Sequence, residues 1–433
     1  MSNFWSRLTG IGGSTLAKNT GWMLIGQASN FFLQAGYFLA LARLLGVTQY
    51  GVFAGAFALV SSVTTYSSLG SQMVFMRHVS ADRRTAQAYW GNSLIITAGM
   101  TILLMAGLAF AGDKLFGSQS IALILILVLS NCFMSQVVNS ASMVFQTFEQ
   151  LKITAWLRAL SNLLRLLAIV FLLFYLHRAT PFQCSLGILA SSTIAACVAV
   201  VWVGLTIGNI RTSARFFRLR FWEGIGFSFA GSTQAVYNDV DKMMLSHYGM
   251  NAANGIYTMA YRVVDFATAP VNAIDNASLP RFFALNKAGL PTLARMARKL
   301  VPIGALAGLA ATLLTLLAAP LFVRIVGHGF ASSLIAIRWL CWLPVLRGLH
   351  QLSGGVLTAA GRQSYRTAAQ FLVAVLNFFL NLAWIPSHGW LGAAWASLIS
   401  DGALGILSLL LMFLVLSRPR PSDATTAYWG QEG

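Results

Sequence analysis

Apolar stretches of about 20 residues or more recur along the whole chain, divided by short polar segments. Each is long enough to cross a hydrocarbon core about 30 Å thick. In order they predict spans at roughly 18–45, 51–76, 91–112, 120–148, 155–176, 182–208, 224–247, 252–280, 300–324, 331–360, 367–386 and 391–417. The longest connection holds about 20 residues, too few for a nucleotide-binding or catalytic domain. The pattern therefore predicts an all-α polytopic membrane protein of about twelve transmembrane helices.

Composition agrees. Charged residues are 9% of the chain and apolar ones 57%, against about 25% charged in soluble domains, and the mean hydropathy is +0.70. The formal charge of +18 would suggest nucleic acid, but the basic residues sit in short segments between apolar stretches, so no nucleic-acid partner is expected. Alternate loops divide them unequally. One set holds Arg7, Lys18, Arg77, Arg83, Arg84, Lys152, Arg158, Arg211, Arg215, Arg218, Arg220, Arg281, Lys287, Arg295, Arg298, Lys299, Arg362, Arg366, Arg418 and Arg420; the other holds Arg43, Lys114, Arg178 and Arg324. Such a bias places both termini in the cytoplasm, with the basic loops against anionic lipid headgroups. The basic start leads into a first span too long for the apolar core of a cleaved leader. The four cysteines (Cys132, Cys184, Cys197, Cys341) show neither metal-ligand nor pairing spacing and read as small apolar residues.

An internal repeat divides the chain. Gly51-Val52-Phe53-x-x-Ala56-Phe57-x-x-Val60 recurs as Gly255-Ile256-Tyr257-x-x-Ala260-Tyr261-x-x-Val264, six helices later. That spacing predicts two six-helix lobes related by a pseudo-two-fold along the membrane normal. The expected organisation is a cytoplasmic N-terminus (1–17), an N-terminal lobe (18–208), a basic cytoplasmic linker (209–223), a C-terminal lobe (224–417) and a cytoplasmic tail (418–433).

Ionisable groups within spans are costly unless they face a cavity or a partner. The first six spans hold no carboxylate; the last six hold Asp239, Asp241, Asp265, Asp275 and Asp401. Basic residues within spans are Arg165, Lys242, Arg262, Arg338 and Arg347. Helical spacing aligns Thr258, Arg262, Asp265, Asn272 and Asp275 on one face. It aligns Ser228, Ser232, Asp239, Lys242 and Ser246 on another helix, with Gln234, Asn238 and Asp241 on a different face of it. Uncharged stripes comprise Gln27, Asn30, Gln34 and Tyr37; Asn131, Ser135, Ser142 and Gln146; and, beyond Pro344, Arg347, Gln351 and Thr358. Each stripe serves either a water-accessible cavity or ordinary helix contact. Arg262–Asp265 and Lys242–Asp241 can equally be fixed ion pairs, and Arg338 can snorkel to an interface. Arg347 is deep with no acid on its own stripe. There is no Walker-type phosphate loop, and the scattered histidines lack His-Glu-x-x-His spacing. No catalytic residue, cofactor or metal ligand is expected.

Asn19-Thr20-Gly21-Trp22 through Gly26-Gln27, and Leu41-Ala42-Arg43-Leu44-Leu45-Gly46-x3-Tyr50-Gly51-x-Phe53, resemble the polysaccharide flippases of the multidrug/oligosaccharidyl-lipid/polysaccharide exporter superfamily. Asp241-Lys242-Met243-Met244-Leu245, Gly255 to Arg262, and Ala360-Gly361-Arg362 are similar to the same family. The resemblance implies two lobes around a V-shaped cavity of alternating access in a bacterial inner membrane. It implies an undecaprenyl-pyrophosphate-linked oligosaccharide as cargo, for O-antigen, capsule or exopolysaccharide, with a polysaccharide polymerase and a chain-length regulator as candidate partners. Arg347, Arg262, Lys242 and Arg165 are then candidates for the anionic headgroup, and Asn30, Gln34 and Gln351 for the cavity wall. Asp239, Asp265 and Asp241 are candidates for H⁺ or Na⁺ coupling. The alternatives are a multidrug antiporter of the same superfamily, disfavoured by the missing carboxylate in the first six spans, and a non-transporting membrane scaffold.

Overall fold

The computed structural model describes residues 13–116, 121–176, 178–208, 210–286 and 289–417. The expectations for Arg7, Lys287 and the tail 418–433 lie outside these residues, as do those for the side chains of Lys18, Lys114, Arg215, Arg220, Ser232 and Gln234.

The described residues are helical throughout, with no strand among them. In order they form α1 (Gly13–Ser67), α2 (Ser71–Val79), α3 (Ala86–Phe116), α4 (Ile121–Val128), a π-helical turn (Leu129–Met134), α5 (Ser135–Thr147), α6 (Leu151–Leu176) and α7 (Pro181–Ile207). Then follow α8 (Ala214–His247), α9 (Asn251–Ala267), α10 (Ala269–Asn286), α11 (Leu290–Val326), α12 (Ser333–Leu340), α13 (Leu343–Ala359), α14 (Gln363–His388) and α15 (Trp390–Ser417). α1 is two helices broken at Gly46, whose φ of 68° and ψ of 174° suit a residue without Cβ. α7 opens on a capping box: Thr180 accepts from the Gln183 amide, Gln183 accepts from the Thr180 amide, and Pro181 takes the first turn. Those bonds satisfy amides that a helix start leaves open.

Eight helical stretches are long and apolar enough to cross a membrane, by length and composition. The first, Ser29–Val79, contains two of the expected crossings. The expected spans 224–247, 252–280 and 331–360 are not among the eight, and they carry Asp239, Lys242, Arg262, Asp265 and Arg347. Ionisable groups lower their mean hydropathy, and the last two are each split into two helices, α9–α10 and α12–α13. Large apolar side chains point outward, among them Phe110 (94% exposed), Leu205 (82%) and Leu317 (81%). Patches of that kind are not left in water; the chain is a multi-pass membrane protein.

By internal contacts the chain divides into two compact units, residues 1–255 and 256–433. In unit 1, Phe75, Trp90, Phe145, Leu157 and Ala199 share a buried apolar cluster. α8, which the sequence reading grouped with the second half, makes its contacts here. Ser228 donates to the Thr65 carbonyl, and Glu223 pairs with Arg77 at 2.8 Å and His78 at 3.1 Å. The repeat also meets itself: a Cβ on Gly51 would strike the Asn251 carbonyl, and one on Gly255 the Val47 carbonyl. Asn254 donates to the Gly51 carbonyl at 3.0 Å, fixing that close approach.

Unit 2 is centred on Phe282, Leu293, Leu352, Leu357 and Met412. α11 reaches α13 through Gly304 and Gly308; a Cβ on Gly308 would stand 2.6 Å from the Pro344 oxygen. Small residues four apart let two backbones pack closely where lipid tails remove the hydrophobic drive between helices.

Candidate functional site

Unit 1 holds a half-open polar cavity of about 740 Å³. α1 supplies Asn30, Gln34, Ser61, Thr64, Thr65 and Ser68; α2 supplies Gln72; the π turn and α5 supply Asn131, Ser135, Gln136 and Asn139. α6 supplies Arg158, Ser161, Asn162 and Arg165, which step by three and four residues and so share one face. Beside Phe57 and Val138 the wall is amide and hydroxyl with two guanidinium groups, and among the described residues no carboxylate lines it. Neighbouring amides hold each other in place: Asn162 donates to Asn30 at 3.1 Å, and Gln72 to Gln136 at 2.8 Å.

Arg165 is held by neutral acceptors. It donates to Ser135 at 2.6 Å, to the Asn131 side-chain oxygen at 3.3 Å and to Ser192 of α7 at 3.4 Å. The π turn arranges two of these. Its wider ring lets Ser135 donate to the carbonyl of Ser130, five residues back, at 2.7 Å, while Asn131 donates to the Leu127 carbonyl at 3.0 Å and leaves its oxygen for Arg165. Such single-turn insertions are frequent at functional sites. A guanidinium oriented by neutral dipoles, with no carboxylate among its hydrogen-bond partners in the described residues, favours an arriving anion.

The other three cationic candidates have different company. In unit 1, Lys242 is buried and donates to Asp239 at 2.8 Å and to the Asn238 carbonyl, with Asp241 at 3.8 Å. Helical spacing set the two carboxylates on different faces, yet the lysine stem is long enough to bring its ammonium to both. In unit 2, Arg347 donates to Asp265 at 2.8 Å and to the Tyr261 hydroxyl at 2.9 Å, lies over the Tyr261 ring at 5.3 Å, and stands 3.8 Å from Asp401. Arg262 approaches the other Asp265 oxygen at 3.9 Å. Gln351 donates to Asn272 at 3.1 Å.

Of the residues singled out in the sequence, Asn30, Gln34, Asn131 and Ser135 from the uncharged stripes and Arg165 from the basic residues within spans line one cavity. Sequence spacing missed Arg158, Ser161 and Asn162, although their spacing with Arg165 on α6 was the available signal; Arg158 had been counted as a loop charge. It also missed Gln72, Gln136 and Asn139. Asn139 lies four residues beyond Ser135, on the stripe itself, whereas Gln136 stands about 140° from Asn131 on a regular helix and off it. Ser142, placed on the same stripe, is buried beside Thr154, which donates to its carbonyl at 3.2 Å.

The sequence profile of the polysaccharide biosynthesis protein family matches residues 16–286. No curated protein sequence matches the chain. Among solved structures, an inward-facing multidrug resistance MATE family transporter of the MOP superfamily aligns with a TM-score of 0.75 at 15% identity, covering 90% of this chain and 94% of its own. The lipid II flippase MurJ, in an inward closed conformation, aligns with a TM-score of 0.68 at 14% identity, covering 94% of this chain and 89% of its own. A MOP superfamily transporter from Pyrococcus furiosus, described as having a binding pocket of reversed polarity, aligns at 0.64 and 14%, covering 93% and 95%. The chain belongs to the polysaccharide biosynthesis protein family and has the fold of the MOP superfamily transporters.

Proposed function

We propose that the chain is a flippase that moves a polyprenyl-pyrophosphate-linked oligosaccharide across a bacterial inner membrane, for assembly of a cell-surface polysaccharide. The observation that carries this reading is the polar chamber of unit 1, lined by no carboxylate among the described residues, with Arg165 presented by neutral oxygens. Amides and hydroxyls suit sugar hydroxyls, and two guanidinium groups suit a phosphate or an acidic sugar. Family membership supplies the polysaccharide context. Alternating access by the two halves of the repeat and cytoplasmic termini complete the proposal; Asp239, Asp241 and Asp265 remain candidates for ion coupling.

The MATE neighbours favour a second reading, export of organic cations. A chamber holding Arg158 and Arg165 without a carboxylate repels such cargo, so that reading ranks below the first.

The test is a cell in which the chromosomal gene is replaced by the Arg165→Ala form at normal expression. Surface polysaccharide should fall at least about tenfold while lipid-linked oligosaccharide accumulates on the cytoplasmic face. Wild-type surface polymer in that strain removes the proposed role of the chamber.

A further inference from the structure

Unit 2 holds a titratable group that the chamber does not use. His350 lies three residues beyond Arg347 on α13, and its Nε2 is buried with no hydrogen-bond partner among the described residues. The facing group is Asp401 of α15, whose side chain is 3% exposed, with an oxygen 3.7 Å from that nitrogen. The other Asp401 oxygen is 3.8 Å from Arg347 Nε. Arg347 therefore stands between two carboxylates on two different helices, Asp265 of α9 at hydrogen-bond distance and Asp401 of α15 just beyond it.

We infer that His350 carries the coupling proton of this transporter, and that its protonation decides which carboxylate Arg347 holds. The inference rests on the transport reading and supplies the coupling group for it.

Charge balance is the argument. Arg347 and Arg262 offset Asp265 and Asp401, so the cluster is neutral when the imidazole is neutral. A proton on Nε2 adds one positive charge beside Asp401, and the imidazolium N–H closes from 3.7 Å to a charge-assisted hydrogen bond of about 2.8 Å. Asp401 then belongs to His350, and Arg347 is left to Asp265. Loss of the proton returns Asp401 to Arg347 and loosens the hold of Arg347 on Asp265 of α9, while α13 stays tied to α15 through one residue or the other. The proton enters from water and leaves to water; no other bond is made or broken. Arginine stays charged throughout, whereas imidazole changes charge near neutral pH, so of Arg347 and His350 it is His350 that can switch.

The remaining neighbours do not duplicate this role. Arg366 of α14 adds a second positive field at His350. On α10, Asp275 faces Gly355 and Arg366, and Asn272 takes the Gln351 amide. α11 meets α13 through its glycines, and its Arg295, Arg298, Lys299 and Arg324 are exposed.

The experiment is histidine-labelled nuclear magnetic resonance of the full chain in liposomes, comparing wild type, His350→Gln and Asp401→Asn. One imidazole signal should titrate between about pH 4 and pH 8, vanish in His350→Gln, and move down by about one pH unit or more in Asp401→Asn. A His350 signal that never titrates, or one that Asp401→Asn leaves in place, overturns the proposal. A transport arm follows in cells. Surface polymer made by wild type should fall as external pH rises, and His350→Gln should make about tenfold less and lose that dependence; retained dependence also overturns it. If instead Arg165→Ala has no effect on polymer while His350 titrates as stated, the flippase reading fails and the proton site stands.

Discussion

Arg165 and Arg347 have the same side chain and opposite surroundings. Arg347 is clamped by Asp265, Tyr261 and the more distant Asp401, so its charge is already compensated. Among the described residues Arg165 donates to the neutral oxygens of Ser135, Asn131 and Ser192. Lysine at 165 keeps the charge but loses the planar fork that reaches three acceptors at once; Arg165→Lys should therefore retain a part of the polymer-forming activity that Arg165→Ala loses. Lys242 makes a contrasting prediction about stability. Removing Asp239 takes the nearer carboxylate away from an ammonium that is 6% exposed and leaves Asp241 at 3.8 Å. Asp239→Ala should destabilise the purified protein by about 3 kcal/mol, read as a lowered thermal transition. The double replacement Asp239→Leu with Lys242→Met should recover most of that loss, because it removes the buried charge together with its partner.

At the level of elements, the π turn between α4 and α5 decides which side chains enter the chamber. One extra residue in the turn brings Asn131 and Ser135 to Arg165 and turns Gln136 and Asn139 to the same cavity. Deleting Phe133 should convert the turn to regular helix and rotate α5 by about 100°, a single residue's share of 3.6 per turn. The expected outcome is a chain that inserts and survives purification yet fails to make surface polymer, with Arg165 severed from Ser135. Wild-type polymer from the deletion would show that the turn has no part in the site. A sequence stripe assumes an unbroken period, so the inserted residue is invisible to it, and Gln136, which a regular helix turns about 140° from Asn131, falls outside the stripe. Helix type and approximate extent were legible because an apolar run of about 20 residues admits few other structures in lipid. The three most polar helices stand below the hydropathy that length and composition require, for the same residues that make them interesting.

For the whole molecule, the basic loops predict orientation. With the four native cysteines replaced, Arg211→Cys should react with a membrane-impermeant thiol reagent only after the cells are opened, and Arg178→Cys should react in intact cells. Reversed labelling would invert the topology and the direction of transport assigned to the chain. Family membership and the MOP fold agree with the helical pattern, the internal repeat and the motifs around Gly51 and Gly255. The repeat gained a physical meaning only in three dimensions, where its two glycines admit each other's neighbouring backbone.

Hydropathy and charge spacing are sums along a line, and they were enough to determine a helical membrane protein and the set of ionisable residues that need an explanation, while local motifs such as those around Gly51 and Gly255 carried the family. Which of those residues compensate one another was decided by the tertiary structure alone. Arg347 and Asp265 are 82 positions apart in the chain and 2.8 Å apart in space, while His350 and Asp401 meet across two helices. An electrostatic partner is chosen by distance in an apolar medium, and no one-dimensional pattern contains that distance.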